Sequence, residues 1–169
     1  AMGRAIDDVI ITAALGTAYT GETGSTSTAN ANQIVHGSAG LTIAKLRTAK
    51  QTLDLGDVDP SIPRHIIVSP KQITDLLGTT EVTSSDFNTV KALANGEINS
   101  FLGFNFIVSN RLSLSGTTRS CIAYAQDGIA LAVGKDVQAR IDERADKSYA
   151  TQVYYCMSIG ATRMEQAKV

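Results

Sequence analysis

The last third of the chain is a near-continuous succession of strand-like segments, and it limits the fold more than any other stretch. Phe101-Leu-Gly-Phe-Asn-Phe-Ile-Val108 leads through Cys121-Ile-Ala-Tyr-Ala125 and Gly128-Ile-Ala-Leu-Ala132 into Val137-Gln-Ala-Arg-Ile-Asp-Glu-Arg144 and Tyr149-Ala-Thr-Gln-Val-Tyr-Tyr-Cys-Met-Ser-Ile-Gly-Ala-Thr-Arg163. Aliphatic, aromatic and small residues dominate, and charged residues gather at the turns. Val137, Ala139 and Ile141 alternate with Gln138, Arg140 and Asp142. Because strand side chains alternate between faces, one face is expected to pack inward and the other to remain exposed. Arg140, Asp142 and Arg144 are therefore the candidates for contacts made by the exposed face.

The first half reads differently. Arg4 to Leu15 places Ile6, Val9, Ile10, Ala13 and Ala14 on one helical face, and Gly16 supplies a stop. No capping residue precedes this helix and Ala1-Met2-Gly3 resembles an expression scar, so the front is expected to be cut from something longer. Gly21 to Gly40 is a low-complexity run expected to form a loop with little secondary structure. A second helix is expected over Leu41 to Asp54, with Ile43, Leu46 and Leu53 inward and Lys45, Arg47 and Lys50 towards solvent. Arg64 to Ser69 reads as a buried strand. Ser69-Pro70 then opens a helix that faces the sheet through Ile73, Leu76 and Leu77 and stops at Gly78, and a further helix is expected over about Asp86 to Ala94. Helix, loop, helix, strand, helix, helix and strands make an α+β domain with a mixed or antiparallel sheet.

The residue content argues for packing and against chemistry. A net charge of -1 without a basic stripe disfavours a nucleic-acid reader, and no apolar run approaches the length of a membrane span. Cys121 and Cys156 have no Cys or His at metal-ligand spacing and read as reduced core thiols, so neither a metal nor a cofactor is expected. The glycines from Gly16 to Gly24 lack the Gly-Lys-Ser/Thr of a phosphate loop. Asp7 and Asp8 read as dipole-favoured carboxylates early in a helix, and Asp142, Glu143 and Asp146, interleaved with Arg140 and Arg144, as ion-pairing groups. His36 and His65 read as surface or capping imidazoles. A competing enzyme or small-ligand reading would require a pocket around His65, Glu81 and Asp86.

The order of segments resembles the major capsid protein of tailed bacteriophages, the Hong Kong 97-type shell fold. Ala5 to Gly24 is similar to the end of that family's spine helix and the loop leaving it, Leu41 to Lys50 to the first axial-domain helix, and Arg64 to Ile73 to the strand and helix that follow. Ile141 to Tyr155 and Gly160 to Lys168 are similar to strands returning to the peripheral domain. The family's N-terminal arm, extended loop and most of its spine helix have no counterpart here. The resemblance implies a peripheral-domain segment at 1–18, an axial domain at 19–134 and returning strands at 135–169. It also implies a non-enzymatic subunit of an icosahedral head, whose partners are further copies of itself, scaffolding and portal proteins, and packaged DNA held without sequence-specific contacts. By the same resemblance, Arg140, Asp142 and Arg144 are candidates for a subunit interface. Assembly would occur in the bacterial cytoplasm. A shell of the encapsulin type, enclosing cargo enzyme, is the neighbouring alternative.

Overall fold

The structure is a computed structural model that describes residues 2–78 and 100–169. The expected helix at 86–94, and with it Glu81 and Asp86, lies outside the described residues. Chain order is α1 (Met2–Leu15), β1 (Ala18–Thr20), β2 (Thr26–Thr28), α2 (Ile43–Leu55), β3 (Arg64–Val68) and α3 (Pro70–Leu77). It continues through β4 (Ser100–Phe101), β5 (Phe104–Val108), β6 (Leu114–Ser115), β7 (Thr118–Arg119), β8 (Ile122–Ala125), β9 (Ile129–Arg144) and β10 (Ala150–Arg163). The α+β expectation holds, with a mixed sheet at the centre: β4, β5, β3 and β8 lie side by side, β3 parallel to β5 and antiparallel to β8.

Strand alternation divides the interior into two cores. Ile66 and Val68 of β3, Phe104 of β5 and Ala125 of β8 face Leu46 and Leu53 of α2 and Leu76 of α3. Ile67 and Ile122 face the other way and meet Ile11 and Ala14 of α1, together with Leu112 and Val169. The helix starts explain themselves locally. Thr42 caps α2 by accepting from the Lys45 amide, and at α3 the Gln72 Oε1 accepts from the Ser69 amide at 2.9 Å while Pro70 occupies the first helical position. Ile73 and Leu77 pack half-buried on the first core, as their spacing predicts.

Several expectations require correction. Phe101 to Val108 is two strands, because Leu102 and Gly103 both take positive φ (54° and 84°) and turn the chain between β4 and β5. The low-complexity run does hold little secondary structure, as expected: of the short hairpin of β1 with β2 only β2 lies within it, and beyond it Asn side chains stand in for backbone ladders. Asn30 Nδ2 donates to the Ala14 carbonyl at the end of α1, and Asn32 Nδ2 donates to the Gln166 carbonyl at 2.8 Å. Asp7 and Asp8 sit in the second turn of a helix that begins at Met2, where the dipole has faded. Asp8 instead makes a bidentate ion pair with Arg111, which holds its carboxyl below the usual range and ties α1 to the turn carrying Leu112. The buried residues of α1 are Ile11 and Ala14, while Ile6, Val9, Ile10 and Ala13 are half-covered, so the helix is turned from the expected face.

Lys45 is a further correction, since it does not simply face solvent. Its ammonium donates to the carbonyls of His36, Ala39 and Gly40 at 2.6–2.7 Å, gathering the loop before α2 onto one charge. Lys45→Ala is expected to lower stability by about 1 to 2 kcal/mol. It should also speed amide exchange over residues 36–40, and unchanged exchange there would place the loop's order elsewhere.

The C-terminal segment closes the fold. Val169 is in the second core, Lys168 pairs with Asp127 at 2.7 Å, and the Lys168 carbonyl passes so close to Gly128 that a Cβ there would meet it at 2.7 Å. Arg163, buried at the end of β10, donates from Nη2 to the Thr28 carbonyl at 2.9 Å, and burial pushes its pKa down.

Candidate subunit interface

β9 and β10 form a long antiparallel ribbon whose register runs from Ile129 opposite Arg163 to Arg144 opposite Ala150. Near its base the ribbon packs on α1. Farther out, β9 from Leu131 onward is exposed on both faces. The inward-packing face expected for Val137, Ala139 and Ile141 therefore finds no cover within the described chain: Ile141 is 68% exposed and Val137 45%. The alternation is present, but the side chains it aligns look outward.

Register assigns the neighbours. Ile141 stands opposite Val153 and Ala139 opposite Tyr155, which makes an apolar face of Val137, Ala139, Ile141, Val153 and Tyr155. On the other face Arg140 stands opposite Tyr154, Asp142 opposite Gln152 and Gln138 opposite Cys156, lining a shallow polar concavity with Lys135. Arg140 and Asp142 thus share this face, as the sequence predicted. Arg144 is drawn away to the ribbon tip, where its Nε donates to Asp146 at 2.8 Å and keeps that carboxyl below its ordinary range. Sequence reading missed the β10 half of the site. The signal was the alternation of Val153 and Tyr155 with Gln152 and Tyr154, legible only once β9 gave it a partner.

Other expected sites are placed as follows. His65 lies opposite Tyr124 across β3 and β8, with ring centroids 5.5 Å apart, as part of the sheet. The His36 Nδ1 accepts from the Ser38 amide at 3.0 Å, a capping role. Cys121 borders the first core and burial pushes its thiol up to about 11, which suits an inert packing residue. Cys156 is a correction, for it faces the polar concavity of the ribbon instead of a core. Among the described residues no group of three His, Cys, Asp or Glu could hold a metal, and no helix is long and apolar enough to cross a membrane.

The described chain is thus a mixed-sheet body bearing a long ribbon whose outer part is exposed on both faces. Solved structures share that architecture. A structure of Mycobacterium phage Che8 superposes with a TM-score of 0.66 at 18% identity, covering 99% of this chain and 58% of that one. The capsid structure of the cyanophage P-SCSP1u gives 0.65 at 18%, covering 96% and 58%. This chain therefore spans a little under three-fifths of the length of either neighbour. No curated protein sequence matches it. The phage capsid protein family matches residues 1–169, and the chain belongs to that family.

Proposed function

We propose that the chain is a structural, non-enzymatic subunit of an icosahedral phage head, repeated many times around packaged DNA. The observation that carries this reading is the ribbon. Two strands alone are marginally stable in water, and an apolar face of Val137, Ile141, Val153 and Tyr155 exposed along them is stabilised when another surface covers it. In a shell, each subunit supplies that surface to the next, so a modest contact is multiplied by symmetry. Within this reading, residues 1–18 and 135–169 belong to the peripheral part of the subunit and 19–134 to the axial part. Scaffolding and portal proteins are its partners during assembly in the host cytoplasm, and the virion is where it resides.

Electron microscopy of the full-length gene product tests the proposal. Closed particles are expected, and a persistently monomeric product under assembly conditions would overturn it. Arg140→Glu with Arg144→Glu is expected to leave the circular dichroism of the chain intact while reducing particle yield at least about tenfold, because exposed charges set association more than folding. Normal particle yield would remove both arginines from the interface.

A further inference from the structure

The ribbon has two outer edges, and no described strand pairs with either of them. We infer that the β9 edge docks on β9 of a second copy, antiparallel about a two-fold axis through Ile141, to give a four-stranded sheet; this deepens the shell-subunit reading by naming the partner of the same site. The inference rests on geometry and charge together. An antiparallel self-pairing has its axis perpendicular to the sheet, so each face is continued by the same face of the copy. Opposed residues must then share a face, and the axis must pass through a residue instead of between two.

Few centres remain. The register of β9 with β10 is irregular beside Cys156 to Ile159, so the regular part of the edge begins at about Val137. Centring on Arg140, Asp142, Glu143 or Arg144 sets each of these charges against its own copy. Centring on Ala139 opposes Asp136 to Asp142 twice, and centring on Gln138, although it opposes Arg140 to Asp136, lays half of the pairing on the irregular stretch. Centring on Ile141 opposes Arg140 to Asp142 of the second copy and, by symmetry, Asp142 to its Arg140, with Gln138 against Arg144 and Ala139 against Glu143. No like charges meet. On the other face the same register lines up Val153, Ile141, Ile141 and Val153 across four strands, extending the existing Ile141–Val153 pair into one apolar row.

The β10 edge offers no such selection. From Ala150 to Thr162 it carries no charged residue, so no register is preferred electrostatically. Unshielded edges are ordinarily blocked by charge, and within its regular part β9 carries its charges in a pattern that repels most self-pairings while fitting one.

Sedimentation analysis of the chain, with charge variants, tests the pairing. A concentration-dependent dimer is expected, and Arg140→Glu or Asp142→Arg alone should raise its dissociation constant about tenfold or more. The swap Arg140→Asp with Asp142→Arg should restore dimerisation, which a generally damaged fold could not do. In a Cys156→Ser background, Ile141→Cys should give a disulfide-linked dimer on oxidation. Gln138→Cys should not, because two copies of that residue would lie about 20 Å apart along the strands. A monomer up to about 1 mM, a dimer indifferent to both reversals, or a swap without rescue would overturn the inference. Particles forming normally from the Arg140→Glu protein would overturn the pairing and leave the shell reading standing; a rescued dimer from a protein that never forms particles would do the reverse.

Discussion

Phe104→Ala is expected to destabilise the chain by about 3 to 5 kcal/mol, the largest effect of any single substitution considered for this fold. Phe104 begins β5 with its side chain fully buried in the core shared by α2, α3 and the sheet, so truncation removes both transfer energy and packing contacts. Leu76→Ala, at an equally buried site on α3, should cost about 2 to 4 kcal/mol. A domain of this size has roughly 5 to 15 kcal/mol in total, so either change should move the denaturant midpoint far more than Ile141→Ala, which removes an exposed side chain and should stay within about 0.5 kcal/mol in the monomer. Urea titration with a common slope compares the three. An unchanged midpoint for Leu76→Ala would mean that α3 does not pack through the face its spacing selects.

That contrast also marks what the sequence could and could not disclose. Ser69-Pro70, the spacing of Ile73 and Leu76, and the buried run Arg64 to Val68 are local signals with local causes, and each is found where the pattern puts it. The break at Leu102-Gly103 was less legible because a positive φ at Leu is uncommon, and only pairing of Phe101 with Phe104 makes it necessary. The loop between α1 and α2 shows no periodicity at all, since its order comes from Asn30 and Asn32 reaching groups at opposite ends of the chain. At the candidate interface, period-two alternation correctly grouped Arg140 with Asp142. It could not say whether the apolar face would find cover inside the same chain. Alternation reports that a face is apolar; what covers it is a tertiary fact, and here the structure leaves Val137 and Ile141 facing solvent.

The second large effect is expected at a residue that no motif singled out. Arg64, at the start of β3, is 6% exposed and pairs with Asp54 in the last turn of α2 at 2.6 Å, while Asp54 itself is 48% exposed. Burial this unequal makes the two partners unequal under mutation. Asp54→Ala leaves a buried guanidinium whose remaining described hydrogen bond is to the Val58 carbonyl at 3.2 Å, and should cost about 3 kcal/mol or more. Arg64→Met leaves a carboxylate that water can hydrate and an orphaned Val58 carbonyl, so about 1 to 2 kcal/mol is expected. The double variant should be no worse than Arg64→Met, because once the buried charge is gone the carboxylate has little left to compensate. Denaturation of all three in one buffer gives the coupling directly. Were Arg64→Met the costlier change, the pair would be acting through the packing of the arginine's methylene stem, and the electrostatic account of this corner of the fold would be wrong.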